Sequence, residues 1–211
     1  MVTTTYTSNH LAGLLKELAN QLNRRVIVGI AGSPGSGKST LALQLHRHLG
    51  SSSAVVPMDG FHLSQQQLVS QGKADRKGAP DTFDVEGFLH TLTRVRDGKE
   101  DVYIPEFDRS QENPIAASIL ISTETKIIIV EGNYLLLSQP RWNQVESFLD
   151  VRWFLMPPLD LRLDRLVHRH MSHGKNQAEA KSWALDVDQI NANLIELDIQ
   201  RADLVINVLV G

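Results

Sequence analysis

Val26-Ile-Val-Gly-Ile-Ala-Gly-Ser-Pro-Gly-Ser-Gly-Lys-Ser-Thr40 is an apolar run that feeds directly into a glycine- and serine-rich loop. Gly32, Gly37, Lys38 and Ser39 complete the pattern G-x-x-x-x-G-K-[ST], whose backbone N–H groups cradle phosphate oxygens. Glycine gives such a loop the turns and close approach that other residues obstruct. The pattern sets Gly32, Ser33, Pro34, Gly35, Ser36, Gly37, Lys38, Ser39 and Thr40 around a nucleoside triphosphate. Lys38 is then expected at the β- and γ-phosphates and the Ser39 hydroxyl on Mg²⁺. A helix beginning at Lys38 adds its N-terminal dipole to the same anion site.

The 211 residues suffice for one large core, and a single domain over 1–211 is expected. A formal charge of −3 argues against a dedicated nucleic-acid binder, which carries a basic excess. The absence of cysteine excludes disulfides and thiol catalysis. The N-terminal stretch lacks the basic and apolar regions of a signal peptide. The apolar runs at 127–130 and 208–210 are too short to cross a bilayer. A cytoplasmic enzyme with no nucleic-acid or membrane partner is expected, and a homodimer is left open.

Along the chain, Ser8 or Asn9 caps a leucine-spaced first helix. Strands are expected over about 25–31, 54–57, 126–130, 150–155 and 204–208, with 102–109 extended. Helices are expected over 38–49, 84–96, 141–148, 159–171 and 178–199, while 64–82 reads as irregular. Alternating strands and helices imply an α/β fold, a parallel sheet covered on both faces. Ligands of such sheets bind beyond the carboxyl ends of the strands. The phosphate loop, Asp59 and Glu131 all follow strands.

Phosphoryl transfer needs a metal, a placed nucleophile and positive charge around the migrating group. Glu131 ends an Ile-Ile-Ile-Val strand, where an unpaired buried carboxylate is costly, so metal ligation beside Ser39 is expected. Asp59 is a second strand-end acid, read as a base, a metal-water ligand or both. Arg162, Arg165 and Arg169 recur at spacings of three and four, one helical face suited to clamping phosphate.

These motifs resemble the P-loop kinase family that contains uridine kinase, phosphoribulokinase and bacterial-type pantothenate kinase. The resemblance is carried by Asp59-Gly-Phe-His62, Pro80-Asp-Thr-Phe-Asp84, Val130-Glu-Gly132, the 160–170 stretch and Arg201-Ala-Asp-Leu-Val-Ile206. Glu131-Gly-Asn-Tyr-Leu-Leu136 is most similar to a bacterial subgroup labelled nucleoside/nucleotide kinase-like or fructose-transport-system kinase-like. The resemblance implies a three-layer P-loop fold with a helical lid near 162–180 and an acceptor side near 60–109. It implies Asp59 as base, Glu131 on Mg²⁺, Arg162, Arg165 and Arg169 in the lid, and Asn207 near the adenine. His62, Asp81, Phe107 and Arg109 fall on the acceptor side. Pro105-Glu-Phe-Asp-Arg109 departs from the aromatic-rich segment usual in uridine kinases. The reading implied is an ATP- and Mg²⁺-dependent kinase phosphorylating a hydroxyl of a small metabolite: a nucleoside such as uridine, a pantothenate-like compound or a sugar. Its rivals are a nucleoside monophosphate kinase and an NTPase switch without a small-molecule acceptor.

Overall fold

The computed structural model of the chain describes residues 4–208. Strand β1 (Thr4–Tyr6) leads into helix α1 (Ser8–Leu22), then β2 (Val26–Ala31), α2 (Lys38–Leu49) and β3 (Ser53–Pro57). After a 3₁₀ turn come α3 (Gln65–Ser70), α4 (Val85–Asp97), β4 (Val102–Asp108), β5 (Asn113–Ile121) and β6 (Ile127–Glu131). The chain closes with β7 (Val151–Leu155), α5 (Leu159–Ser172), α6 (Gln177–Trp183), α7 (Gln189–Glu196) and β8 (Leu204–Val208).

The main sheet has the order β1-β8-β7-β2-β6-β3, and all its pairs are parallel. Every residue of β2 and of β6 is buried, as a central strand covered on two faces requires. Along β6 the side chains alternate between two cores. Ile128 and Val130 join Phe88 and Leu92 of α4, while Ile127 and Ile129 join Leu11 of α1 and Leu41 of α2. The expected three-layer α/β fold is what the structure shows.

β1 has no counterpart among the strands expected from the sequence; it adds an edge strand beside β8. Thr7, rather than Ser8 or Asn9, caps α1, its hydroxyl accepting from the His10 backbone N–H. The stretch 64–82 holds α3 and two 3₁₀ turns in place of a wholly irregular segment. It leaves and returns at one place, because Leu63 N–H donates to Thr82 O and Asp84 N–H to Phe61 O. The expected helix over 178–199 is interrupted by a π turn at Ala184–Asp188 and ends at Glu196. The 141–148 helix is a run of 3₁₀ turns over Trp142–Phe148.

β4 and β5 form a separate antiparallel hairpin, irregular between Ile104 and Glu106, where Pro105 lacks the N–H a ladder needs. This hairpin presses on the 3₁₀ turn after β3. A Cβ at Gly60 would lie 2.3 Å from the Pro105 carbonyl oxygen, a backbone atom with little freedom to move. Gly60→Ala is therefore expected to destabilise by about 1–3 kcal/mol through overpacking. A thermal melt matching wild type would show that the hairpin is not seated there.

Candidate active site

The carboxyl ends of β2, β3 and β6 open on one side of the sheet into a cleft of about 1150 Å³. The loop after β2 floors it. Gly35 has φ of +79°, and a Cβ there would lie 2.8 Å from Leu166 Cγ, so glycine is required both by backbone conformation and by contact with α5. Lys38 is buried, its Nζ donating to Ser33 O at 3.1 Å and reaching the Ser36 hydroxyl at 3.4 Å. Burial lowers its pKa to about 8, against the pull of Glu131 and Asp59.

Glu131, at the end of β6, is 6% exposed. Its Oε1 accepts from the Ser39 hydroxyl at 3.0 Å. Burial, reinforced by Asp59, pushes its carboxyl up to about 7. A hydroxyl and two acids, Glu131 and Asp59, thus gather at the phosphate loop beside Lys38. That donor set suits a hard divalent cation shared with phosphate oxygens.

Asp59 follows β3 and lines the same cleft. Arg109 Nη2 donates to its Oδ2 at 2.8 Å. Burial alone would raise its carboxyl, yet His62, Arg109 and Lys38 together hold it below the ordinary aspartate value. His62 Nδ1 lies 2.8 Å from Asp59 O, and a carbonyl only accepts, so Nδ1 carries the proton. Burial lowers the His62 pKa, against the pull of Asp59. Its ring packs on Phe83 at 3.9 Å and on Phe107 at 4.9 Å between centroids.

The three arginines of α5 do different things. Arg162 is 3% exposed and donates to Pro34 O at 3.2 Å and to Gln189 Oε1. It ties the loop to α7 and is not among the residues that line the cleft, whereas the sequence reading set Arg162 with Arg165 and Arg169 over the phosphates. Arg165 lines the cleft, donating to Ser36 O at 3.4 Å. Arg169 lines it too and lies 3.8 Å from Asp188. The end of α7 is pinned to the loop as well, since the Ser33 hydroxyl donates to Glu196 Oε1 at 2.8 Å.

Phe107, Arg109 and His62 reach the cleft; Asp81 and Asn207 are not among its lining residues. Asp81 is held on the outside of its loop by Arg76 at 2.7 Å and Lys73 at 3.4 Å. Asn207 sits in β8 opposite Thr5 of β1, toward the sheet edge. Sequence reasoning missed Lys77, whose Nζ donates to Glu112 Oε2 at 3.1 Å and lies 5.1 Å from the Phe107 ring centroid. It also missed Asp188, which the π turn brings within 2.6 Å of His170 Nε2. Only the basic run around residues 73–77 hints at the first, and a smooth helix over 178–199 hides the second. Among the described residues no three His, Asp or Glu side chains gather into a metal cluster.

A family model described as Phosphoribulokinase / Uridine kinase family matches residues 27–210. A Schizosaccharomyces pombe protein designated a candidate uridine kinase is 33% identical over 200 residues, covering 88% of this chain and 84% of its own length. A Staphylococcus epidermidis uridine kinase is 29% identical over 189 residues, 88% of each chain. The crystal structure of a candidate fructose transport system kinase from Silicibacter sp. TM1040 has a TM-score of 0.86 at 39% identity, covering 95% of this chain and 98% of that one. No helix among the described residues is long and apolar enough to cross a membrane. The matched span takes in the loop, both strand-end acids and the arginine-bearing helix. On sequence and fold together, this chain belongs to the phosphoribulokinase / uridine kinase family and is a small-molecule kinase with a hydroxyl acceptor.

Proposed function

We propose that the chain is a single kinase domain that passes the γ-phosphoryl group of ATP, held with Mg²⁺, to a hydroxyl of a small metabolite. The observation that carries this is the Ser39–Glu131 hydrogen bond, which sets a hydroxyl and an acid together at the mouth of the phosphate loop. Mg²⁺ held there with the phosphates would neutralise charge that builds on the transferring group. Lys38 and the loop N–H groups bind the phosphates. Arg165 and Arg169 approach from the lid, over about 162–180, and offset charge on the migrating group. Arg162 acts as a brace between lid and loop. Asp59 receives the acceptor proton, so the acceptor oxygen attacks phosphorus while the bond to the β-γ bridging oxygen breaks. Its electron pair leaves on ADP. The residues between about 60 and 109, with Phe107 and Arg109 at the hairpin, hold the acceptor.

The test is ATP turnover by the full chain with pools of hydroxylated metabolites and, separately, of nucleoside monophosphates, products being weighed by mass spectrometry. A phosphorylated alcohol supports the reading. Turnover only with nucleoside monophosphates moves the acceptor to a phosphate, and ATP hydrolysis unaffected by any pool favours a switch.

A further inference from the structure

The acceptor wall carries two cations, Lys77 and Arg109, that converge on one aromatic ring. Lys77 Nζ lies 5.1 Å and Arg109 Cζ 5.7 Å from the Phe107 centroid. Arg109 is held by the Asp59 carboxylate at 2.8 Å, and Lys77 by the Glu112 carboxylate at 3.1 Å and its backbone carbonyl at 2.7 Å. We infer that the acceptor is a hydroxylated molecule bearing an anionic group, carboxylate or phosphate monoester, which binds Lys77 and Arg109 and draws Arg109 away from Asp59. This rests on the kinase reading above and adds to it the acceptor's charge and a control on the base.

Arg109 is built as an exchangeable contact. A structural arginine in this fold looks different: Arg25 donates to the carbonyls of Thr125, Val95, Ser122 and Thr123. Arg109 makes one side-chain hydrogen bond among the described residues, and its side chain is 45% exposed in the cleft wall. Most of its five donors are available, and a planar fork of that kind matches a carboxylate or phosphate. The one bond it makes is to the acid that must take the acceptor proton. While Arg109 holds Oδ2, that oxygen is not free for a hydroxyl. An acceptor anion offering a better bidentate partner frees it in the same step that places the hydroxyl.

The aromatic groups argue against a stacked nucleobase. Phe107 is flanked by His62 and both cations, and Phe83 is 6% exposed beneath His62. The rest of the acceptor wall is polar, with the amides of Gln65, Gln111 and Asn113. Such a wall suits hydroxyl groups and a charged end. The Arg109–Asp59 pair has a second consequence. With no acceptor bound, Arg109 holds Oδ2 and lowers the basicity of the whole carboxylate, so Asp59 is a poorer base toward water and ATP hydrolysis to ADP and phosphate is slowed.

The experiment uses the full chain, wild type and the variants Arg109→Gln, Arg109→Lys and Lys77→Gln. Probes are glycerate and gluconate, glycerol 3-phosphate and glucose 6-phosphate, and the uncharged glycerol, glucose and uridine. Product formation is measured for each, with calorimetric binding of the same compounds and ATP hydrolysis without acceptor. A charged probe is expected to be phosphorylated, and the carboxylate and phosphate arms report which anion is read. Its KM should rise on the order of ten- to a hundredfold in Arg109→Gln and Lys77→Gln, the range set by hydrogen bonds to charged groups. Arg109→Lys should retain part of the binding. Acceptor-free hydrolysis should rise severalfold in Arg109→Gln, a result that loss of structure would not give. Product from uncharged probes alone overturns the inference and leaves the kinase reading standing. Unchanged or lower acceptor-free hydrolysis in Arg109→Gln overturns it as well. If wild type neither binds nor phosphorylates any charged probe, the inference falls, while the kinase reading is decided separately by the metabolite pools.

Discussion

Asp59→Asn is expected to lower kcat for acceptor phosphorylation by on the order of 10²- to 10⁴-fold, the range for loss of a general base. ATP affinity should stay nearly unchanged. The amide keeps the shape of the carboxyl and its place after β3, but it cannot take a proton. The groups proposed to bind nucleotide come from other strand ends: Lys38 is held by Ser33 O and the Ser36 hydroxyl, and Ser39 by Glu131. None of these contacts includes Asp59. The loss should therefore fall on kcat and on kcat/KM equally, the pattern of an interaction made only in the transition state. Arg109 would lose its charged partner, a contact 45% and 27% exposed on its two sides and so worth little to stability. Steady-state kinetics with a nucleotide-binding titration would check this. Turnover near wild type would remove Asp59 from the role of base and leave it the part of a metal-water ligand.

Much of this site is legible in the amino-acid sequence, for a physical reason. The loop, Glu131 and Asp59 each follow a short apolar strand, and a parallel sheet brings the carboxyl ends of its strands to one side. Asp84 as a helix cap and Gly98 as its left-handed end are legible in the same way, because local hydrogen bonding and φ decide both. β5 is not legible. Residues 115–118 are all exposed, the segment includes Pro114, and Ala117 adopts a φ of +56°, so no alternating pattern marks a strand. What makes it a strand is its partner β4, a tertiary fact. The spacing of the α5 arginines puts them on one helical face, but spacing carries no depth. Arg162 is buried under the loop while Arg165 and Arg169 reach the cleft. Lys77 and Glu112 meet across 35 residues, a contact that no local pattern encodes.

Lys38→Met should abolish stabilisation by nucleotide and yet make the ligand-free chain more stable. The lysine is 7% exposed, and burial brings its pKa from 10.5 down to about 8. At neutral pH the charged form is therefore disfavoured in the folded state by about 3 kcal/mol relative to the unfolded chain. Methionine keeps the unbranched stem and its packing while removing the charge. Glu131 then loses a favourable neighbour, but its own pKa is already near 7, so it takes up a proton at small cost. The pH dependence has a definite sign. Below about pH 8 Lys38 is protonated in both states and the advantage of the variant is complete. Between about 8 and 10.5 the folded lysine gives up its proton before the unfolded one, and the advantage shrinks to nothing. At pH 7 the ligand-free melting temperature should rise by several degrees, each kcal/mol being worth about 2–4 °C in a chain of this size. Wild type with a non-hydrolysable ATP analogue at a hundred times its Kd should gain about 2.7 kcal/mol, and the variant essentially none. A variant that still shifted with the analogue would show that the triphosphate lies elsewhere. One that lost stability when ligand-free would show that Lys38 braces the empty loop. The outcome expected here is the opposite: a charge kept buried at the expense of the fold, because the phosphates need it there.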